Sequence, residues 1–349
     1  MRPHAPAWRN WVPLRSTLPC AVFYMTAWTV CHGDAQPIPN EISIPLTVKQ
    51  LPHYDTYKAS INIGFGRLAP LPIAFDTGSA GLHVFGAAKL DADGSGVQCT
   101  RKQIKFTVGN PGRVTYYGVM CHAPLSFGNF TTSVQVPFAY LTSATCAPHN
   151  PGCKVPDPNK VRGGVYGVFG AGITGAMPVE NPILASSFSR YNIKLTRRSG
   201  ELVLNGQEQP DAALFQLHPG TNGATWANAQ TCLFVNGAVS GTCLAISFDT
   251  GNGVPWIRDS DTAPIPQENG LVTPKTLIGF GPEGATQAAT SVVAGASFAN
   301  KIRVEPTTGL PLTNTSIQAF FGHVVTYDNL NGRIYVAPIS SQRAQAAGD

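Results

Sequence analysis

Residues 71–85 read LPIAFDTGSAGLHVF, and 173 residues after Asp76 the same turn returns within 244–257, LAISFDTGNGVPWI. Each copy enters as an apolar run of strand character, breaks at Asp-Thr-Gly and leaves as a second apolar run. A strand of this kind fixes the aspartate while the glycine turn exposes it, an arrangement poor for solubility and well suited to chemistry. The recurrence of Ala-Phe-Asp-Thr-Gly as Ser-Phe-Asp-Thr-Gly predicts one plan used twice, as two similar β lobes related by a pseudo-twofold axis.

The flanking sequence has the same β character. EISIPLTVKQ and YKASINIG alternate apolar and polar residues before the first turn, the two-residue period of half-buried strands. IKFTV and VTYYGVM on either side of Gly109-Asn110-Pro111-Gly112 predict a hairpin, and TTSVQVPFAYL another strand. Residues 182–191 are expected to hold a short helix, and 202–204 and 213–217 strands. The polar run 205–211 marks the expected boundary between lobes. Residues 318–338, QAFFGHVVTYDNLNGRIYVAP, read as a hairpin turning at 329–332. Each aspartate turn is followed downstream by two apolar residues and a glycine, Val168-Phe169-Gly170 and Phe320-Phe321-Gly322. Asp91-Ala92-Asp93-Gly94 faintly resembles a calcium loop, but Lys102 stands where its glutamate would be, so it reads as a turn.

Composition agrees. The 349 residues suffice for two lobes. Only 12% are charged, about half the usual share, and 36 glycines with 29 prolines suit a turn-rich β protein. Three arginines precede an apolar segment at 18–30 too short to span a bilayer as a helix. Residues 1–35 therefore read as a secretory leader, with a cut after Ala35, leaving lobes at 36–210 and 211–349. Beyond that leader 21 basic and 18 acidic residues remain. No basic cluster interleaved with aromatics is present, so no nucleic-acid partner is expected, and no membrane span once the leader is removed.

Six of the eight cysteines lie past the leader, an even number that suggests three disulfides in a secreted or periplasmic chain. Fifteen pairings are possible, and proximity in sequence favours Cys99 with Cys121, Cys146 with Cys153 and Cys232 with Cys243. None has the Cys-x-x-Cys spacing of a zinc or redox site. His83, His122 and His323 form no ligand set, and no metal or cofactor is expected. No Gly-x-Ser-x-Gly elbow, His-Glu-x-x-His helix or phosphate loop occurs.

If the two turns meet at the axis, Asp76 and Asp249 are neighbours. Two adjacent carboxylates resist ionising together, so they hold one proton between them over a working pH window. The ionised member can then activate a water toward a carbonyl carbon while the protonated one serves as acid. Gly78 and Gly251 let backbone amides approach the carboxylates, and the Thr77 and Thr250 hydroxyls can lock the turns together.

Taken together, INIG, PIAFDTGSAGLHV, GVYGVFGAGI, SGELVLNG, CLAISFDTG and TYDNLNGRIYVAP resemble the pepsin-like aspartic peptidases across most of the chain beyond the leader. The resemblance implies an all-β, bilobal fold with the active-site cleft between the lobes. It also implies catalytic Asp76 and Asp249, with Thr77 and Thr250 bonding across the lobes beneath them. Three positions depart from the family. Its residue two past each threonine is usually Ser or Thr and bonds the outer carboxylate oxygen; Ser79 fits, whereas Asn252 offers an amide. His83 stands where an aromatic commonly buttresses the flap tyrosine. The flap looks abbreviated, with Tyr117 the candidate flap tyrosine and Tyr116 competing for the role.

The expected activity is that of an exported aspartic endopeptidase cutting peptides or unfolded proteins at apolar residues, at acidic to mildly acidic pH, and working as a monomer. The alternative is a catalytically silent protein of the same fold that binds peptide or a protein partner in the cleft.

Overall fold

The computed structural model describes residues 41–51, 56–90, 94–108, 114–147, 153–161, 163–175, 178–221, 225–258, 265–295, 300–305 and 312–339. The expected leader and its cut, the core of the calcium-like turn at 91–93 and the hairpin turn at 109–113 lie outside these residues.

Strands dominate. One sheet of fifteen strands, counted over the described residues, runs through the molecule and a second sheet has nine. One end of the larger sheet is a six-stranded platform: Ala213–Gln216, Arg333–Pro338, His323–Asp328, Arg190–Leu195, Ser199–Leu204 and Ile42–Leu51, in that order. It joins strands from distant parts of the sequence, because Arg190–Leu195 pairs with His323–Asp328. The alternation in ISIPLTVKQL explains the platform's edge toward the first lobe: Ile44, Leu46 and Val48 are buried and the residues between them exposed.

Within the first lobe, Leu71–Asp76 and Ala80–Phe85 flank the first aspartate turn but do not pair with each other. Gly167–Ala171 lies between them, parallel to the former and antiparallel to the latter. This inserted strand holds the turn open and pushes Asp76 out. It passes so close that a Cβ on Gly170 would stand 2.6 Å from the Ala80 carbonyl carbon, which only glycine tolerates.

The second lobe repeats the device. Leu312–Asn314 runs parallel to Ala238–Ser247 and antiparallel to Trp256–Arg258. Here the structure corrects the sequence reading. Val168 pairs with Ala74, two residues before Asp76, and Asn314 pairs with Ser247, two residues before Asp249. The counterpart of Val168-Phe169-Gly170 is therefore Asn314-Thr315-Ser316, not Phe320-Phe321-Gly322. Phe320 closes a 3-10 helix, Ile317–Phe320, instead of a strand, and the hairpin that follows spans His323–Asp328 and Arg333–Pro338. The helix expected at 182–191 is likewise short, Pro182–Ala185, capped by the Asn181 side chain.

Disulfides join Cys99 to Cys121, Cys146 to Cys153 and Cys232 to Cys243, the pairs nearest in sequence. Two of them cross-link adjacent strands, at Cys99 opposite Cys121 and Cys232 opposite Cys243. Such bonds persist in oxidising compartments.

Candidate active site

The strands Leu71–Asp76 and Ala238–Ser247 bring the two Asp-Thr-Gly turns together at the seam between lobes. Their contacts are reciprocal. The Thr77 amide donates to Thr250 Oγ1 at 3.1 Å, and the Thr250 amide donates to Thr77 Oγ1 at 3.0 Å. Each hydroxyl then donates across the seam to the carbonyl preceding the other aspartate: Thr77 Oγ1 to Phe248 O at 2.7 Å, Thr250 Oγ1 to Phe75 O at 3.0 Å. Both threonines are buried, so these four bonds form out of water, where an unmade partner is costly.

The carboxyls sit above this lock. Gly78 N donates to Asp76 Oδ1 and Gly251 N to Asp249 Oδ1, each at 2.8 Å. Each aspartate also packs over the glycine of the opposite turn. A Cβ on Gly78 would lie 2.3 Å from the Asp249 carboxyl carbon, and one on Gly251 would lie 2.4 Å from that of Asp76. The two carboxyls are within hydrogen-bonding reach of each other, and Asp249 is pushed up to about 7. Burial is the main cause and the Asp76 charge the next, while the bonds from Asn314 and Gly251 pull the other way. Asp249 keeps part of its surface open to solvent, so its hydration is limited by the surrounding turns rather than abolished.

The remaining oxygens are held differently. Ser79 Oγ donates to Asp76 Oδ2 at 2.8 Å. Asn252, at the equivalent place in the second turn, reaches Asp249 only through its backbone amide, at 3.1 Å to Oδ1. Its side-chain amide turns instead to Val254 O and Asn314 Oδ1. The donor to Asp249 Oδ2 is Asn314 Nδ2, at 2.6 Å. Sequence reasoning missed Asn314; the one available signal was an asparagine in an otherwise strand-like run, without any periodicity linking it to Asp249.

Beneath the lock, Tyr327 donates its hydroxyl to Phe248 O at 3.1 Å and stacks on Tyr191 with centroids 5.1 Å apart. Burial raises both phenols far above their ordinary range, so they stay neutral. Tyr191 in turn donates to Ala171 O, tying the tyrosine pair to the inserted strand of the first lobe.

Tyr116 and Tyr117 lie on Val114–Ala123, which pairs with Gln98–Val108 in a hairpin of 10- and 11-residue strands. Both tyrosines lie in the second of these strands. The Cys99–Cys121 disulfide staples the hairpin at its open end. Tyr117 is partly exposed and its hydroxyl accepts from Thr145 at 3.3 Å, while the Tyr116 ring stacks on Phe85. His83 fills the aromatic's place literally: fully buried, it stacks on Phe106 of the hairpin with centroids 3.8 Å apart. Neither ring nitrogen makes a full hydrogen bond, the Gly81 backbone only weakly favouring the cation. Burial holds its pKa down to about 4.

Among the described residues no group of three His, Cys, Asp or Glu side chains is arranged to hold a metal ion. A separate groove over the platform, lined by Lys194, Arg197, Glu201, Asp211 and Phe321, contains neither aspartate.

Two β lobes meeting at paired Asp-Thr-Gly turns define a bilobal, pepsin-like fold. Among solved structures, the chain is similar to the crystal structure of aspartic proteinase from Irpex lacteus, with a TM-score of 0.58 and 13% identity over 86% of this chain and 98% of that one. No family model and no curated protein sequence matches it.

Proposed function

We propose that this chain is an exported aspartic endopeptidase that hydrolyses peptide bonds in peptides or unfolded proteins with a water held between Asp76 and Asp249. The observation that carries the reading is the reciprocal packing of each carboxyl over the other turn's glycine, above a fourfold threonine lock. That arrangement keeps two carboxyls in contact and fixes their orientation, so they share one proton.

In the proposed reaction the Asp76 carboxylate takes a proton from the water as its oxygen attacks the substrate carbonyl carbon. The Asp249 proton passes to the carbonyl oxygen, giving a neutral gem-diol. Asp76 then returns its proton to the amide nitrogen and Asp249 recovers one from the diol as the carbon–nitrogen bond breaks. One water is consumed and the dyad is restored. The hairpin carrying Tyr116 and Tyr117 is the flap that covers the cleft in this reading, and the three disulfides support function outside the cytoplasm.

The test is cleavage of an unfolded protein from acidic to neutral pH, with inhibition by a statine-type transition-state mimic. Asp76→Asn and Asp249→Asn are each expected to lower turnover about 10³-fold or more. Absence of cleavage, with peptide binding indifferent to both substitutions, would instead identify a binding protein.

A further inference from the structure

We propose that Asn314 is the positioning residue of the second aspartate, an amide that replaces the hydroxyl expected at position 252 and sets the pH at which the dyad releases its shared proton. The inference rests on the peptidase reading and concerns how pH regulates that same site.

The two turns show the substitution directly. Ser79, three residues past Asp76, donates its hydroxyl to Oδ2. Asn252, three residues past Asp249, turns its side chain away, and Asn314 supplies the donor from the inserted strand Leu312–Asn314. Asn314 is buried, and its amide is oriented by two donors at the other end. Ser316 N reaches its Oδ1 at 2.9 Å and Asn252 Nδ2 reaches it at 3.2 Å. With Oδ1 engaged twice, the NH2 end faces the carboxyl; a flipped amide would set oxygen against oxygen and nitrogen against two donors. Ser316, which supplies one of these donors, itself holds a positive φ of 57°.

A hydroxyl and an amide are not equivalent donors. The Ser79 hydroxyl can rotate and accept a hydrogen bond from a protonated carboxyl, whereas the Asn314 NH2 only donates. It therefore favours the ionised form of Asp249, opposing burial and the charge on Asp76. Among the described residues Asp76 faces Asp249 across the seam, and Tyr327 faces it from the strand His323–Asp328. The phenol stays neutral, so the carboxyl pair and the amide set the balance.

The experiment titrates the Asp249 carboxyl by carbon-13 NMR in the full chain, assigned with Asp249→Asn, and follows peptide cleavage against pH. Asn314→Ala is expected to raise the Asp249 midpoint by about one pH unit, tenfold in proton affinity, and to carry the upper limb of the kcat profile with it. Adding Asn252→Ser places a hydroxyl where Ser79 has one and is expected to return part of the shift, which a merely structural role would not do. If the alanine variant does not fold, Asn314→Leu, similar in shape and without a donor, takes its place. An unchanged midpoint overturns the role of Asn314. A shifted midpoint in a chain that cleaves nothing upholds it and overturns the peptidase reading instead.

Discussion

The two aspartate turns are alike in backbone and unlike in side chain. Both give a glycine amide to Oδ1 at 2.8 Å, and both bury a threonine that bonds the opposite turn. At the outer oxygen they diverge: a hydroxyl from the next residue but two at Asp76, an amide from 65 residues downstream at Asp249. The difference separates two kinds of requirement. The lock must come from the turn itself, because backbone geometry at a twofold seam leaves no other source. The outer donor need only arrive within about 3 Å, so any element packed there can supply it.

The largest test of the shared part is the lock. Thr77→Ala and Thr250→Ala each remove two cross-seam bonds and leave the opposite threonine's buried amide without its side-chain acceptor, so each is expected to cost about 2–4 kcal/mol in urea unfolding. The two singles remove different bonds, so the double variant is expected to lose all four and to cost more than either alone. Markedly unequal single costs would break the twofold equivalence.

Next in size is a contrast seven residues past each aspartate, where His83 stands in one half and Trp256 in the other. His83 holds its pKa near 4 when folded, against an ordinary 6.5. As pH falls through that window the unfolded chain takes up a proton that the folded chain refuses. Stability is therefore lost on acidification, by about 3 kcal/mol across the window. His83→Phe is expected to remove this loss while keeping the stack on Phe106, as urea unfolding on either side of the window would reveal. A pH dependence unchanged by the substitution would assign the acid sensitivity elsewhere.

The smallest effect sharpens the difference between the turns. Ser79→Ala withdraws a single donor from Asp76 and is expected to lower kcat about tenfold, near the worth of one hydrogen bond. Adding Asn314→Ala would then show whether hydroxyl and amide contribute independently.

Much of this architecture is legible in the residues. The paired Phe-Asp-Thr-Gly segments announce two buried strands that each end in a carboxylate, and the alternation around them gives the strands beside. What misled was local imitation: Phe320-Phe321-Gly322 copies the pattern of Val168-Phe169-Gly170, yet its phenylalanines serve a 3-10 turn and the packing of Tyr57. The true counterpart, Asn314-Thr315-Ser316, is polar and carries no hydrophobic signal; only the parallel register reveals it. Asn252 illustrates the same gap from the other side. Its position in the turn was readable, but the direction of its amide depends on Asn314, which sequence proximity could not supply.

The platform strand His323–Asp328 carries Tyr327 under the carbonyl that Thr77 also grips. A growing polypeptide thus holds both aspartates long before it holds their floor. A chain ending before His323 would keep both turns and lose the hydroxyl that holds Phe248 O from below.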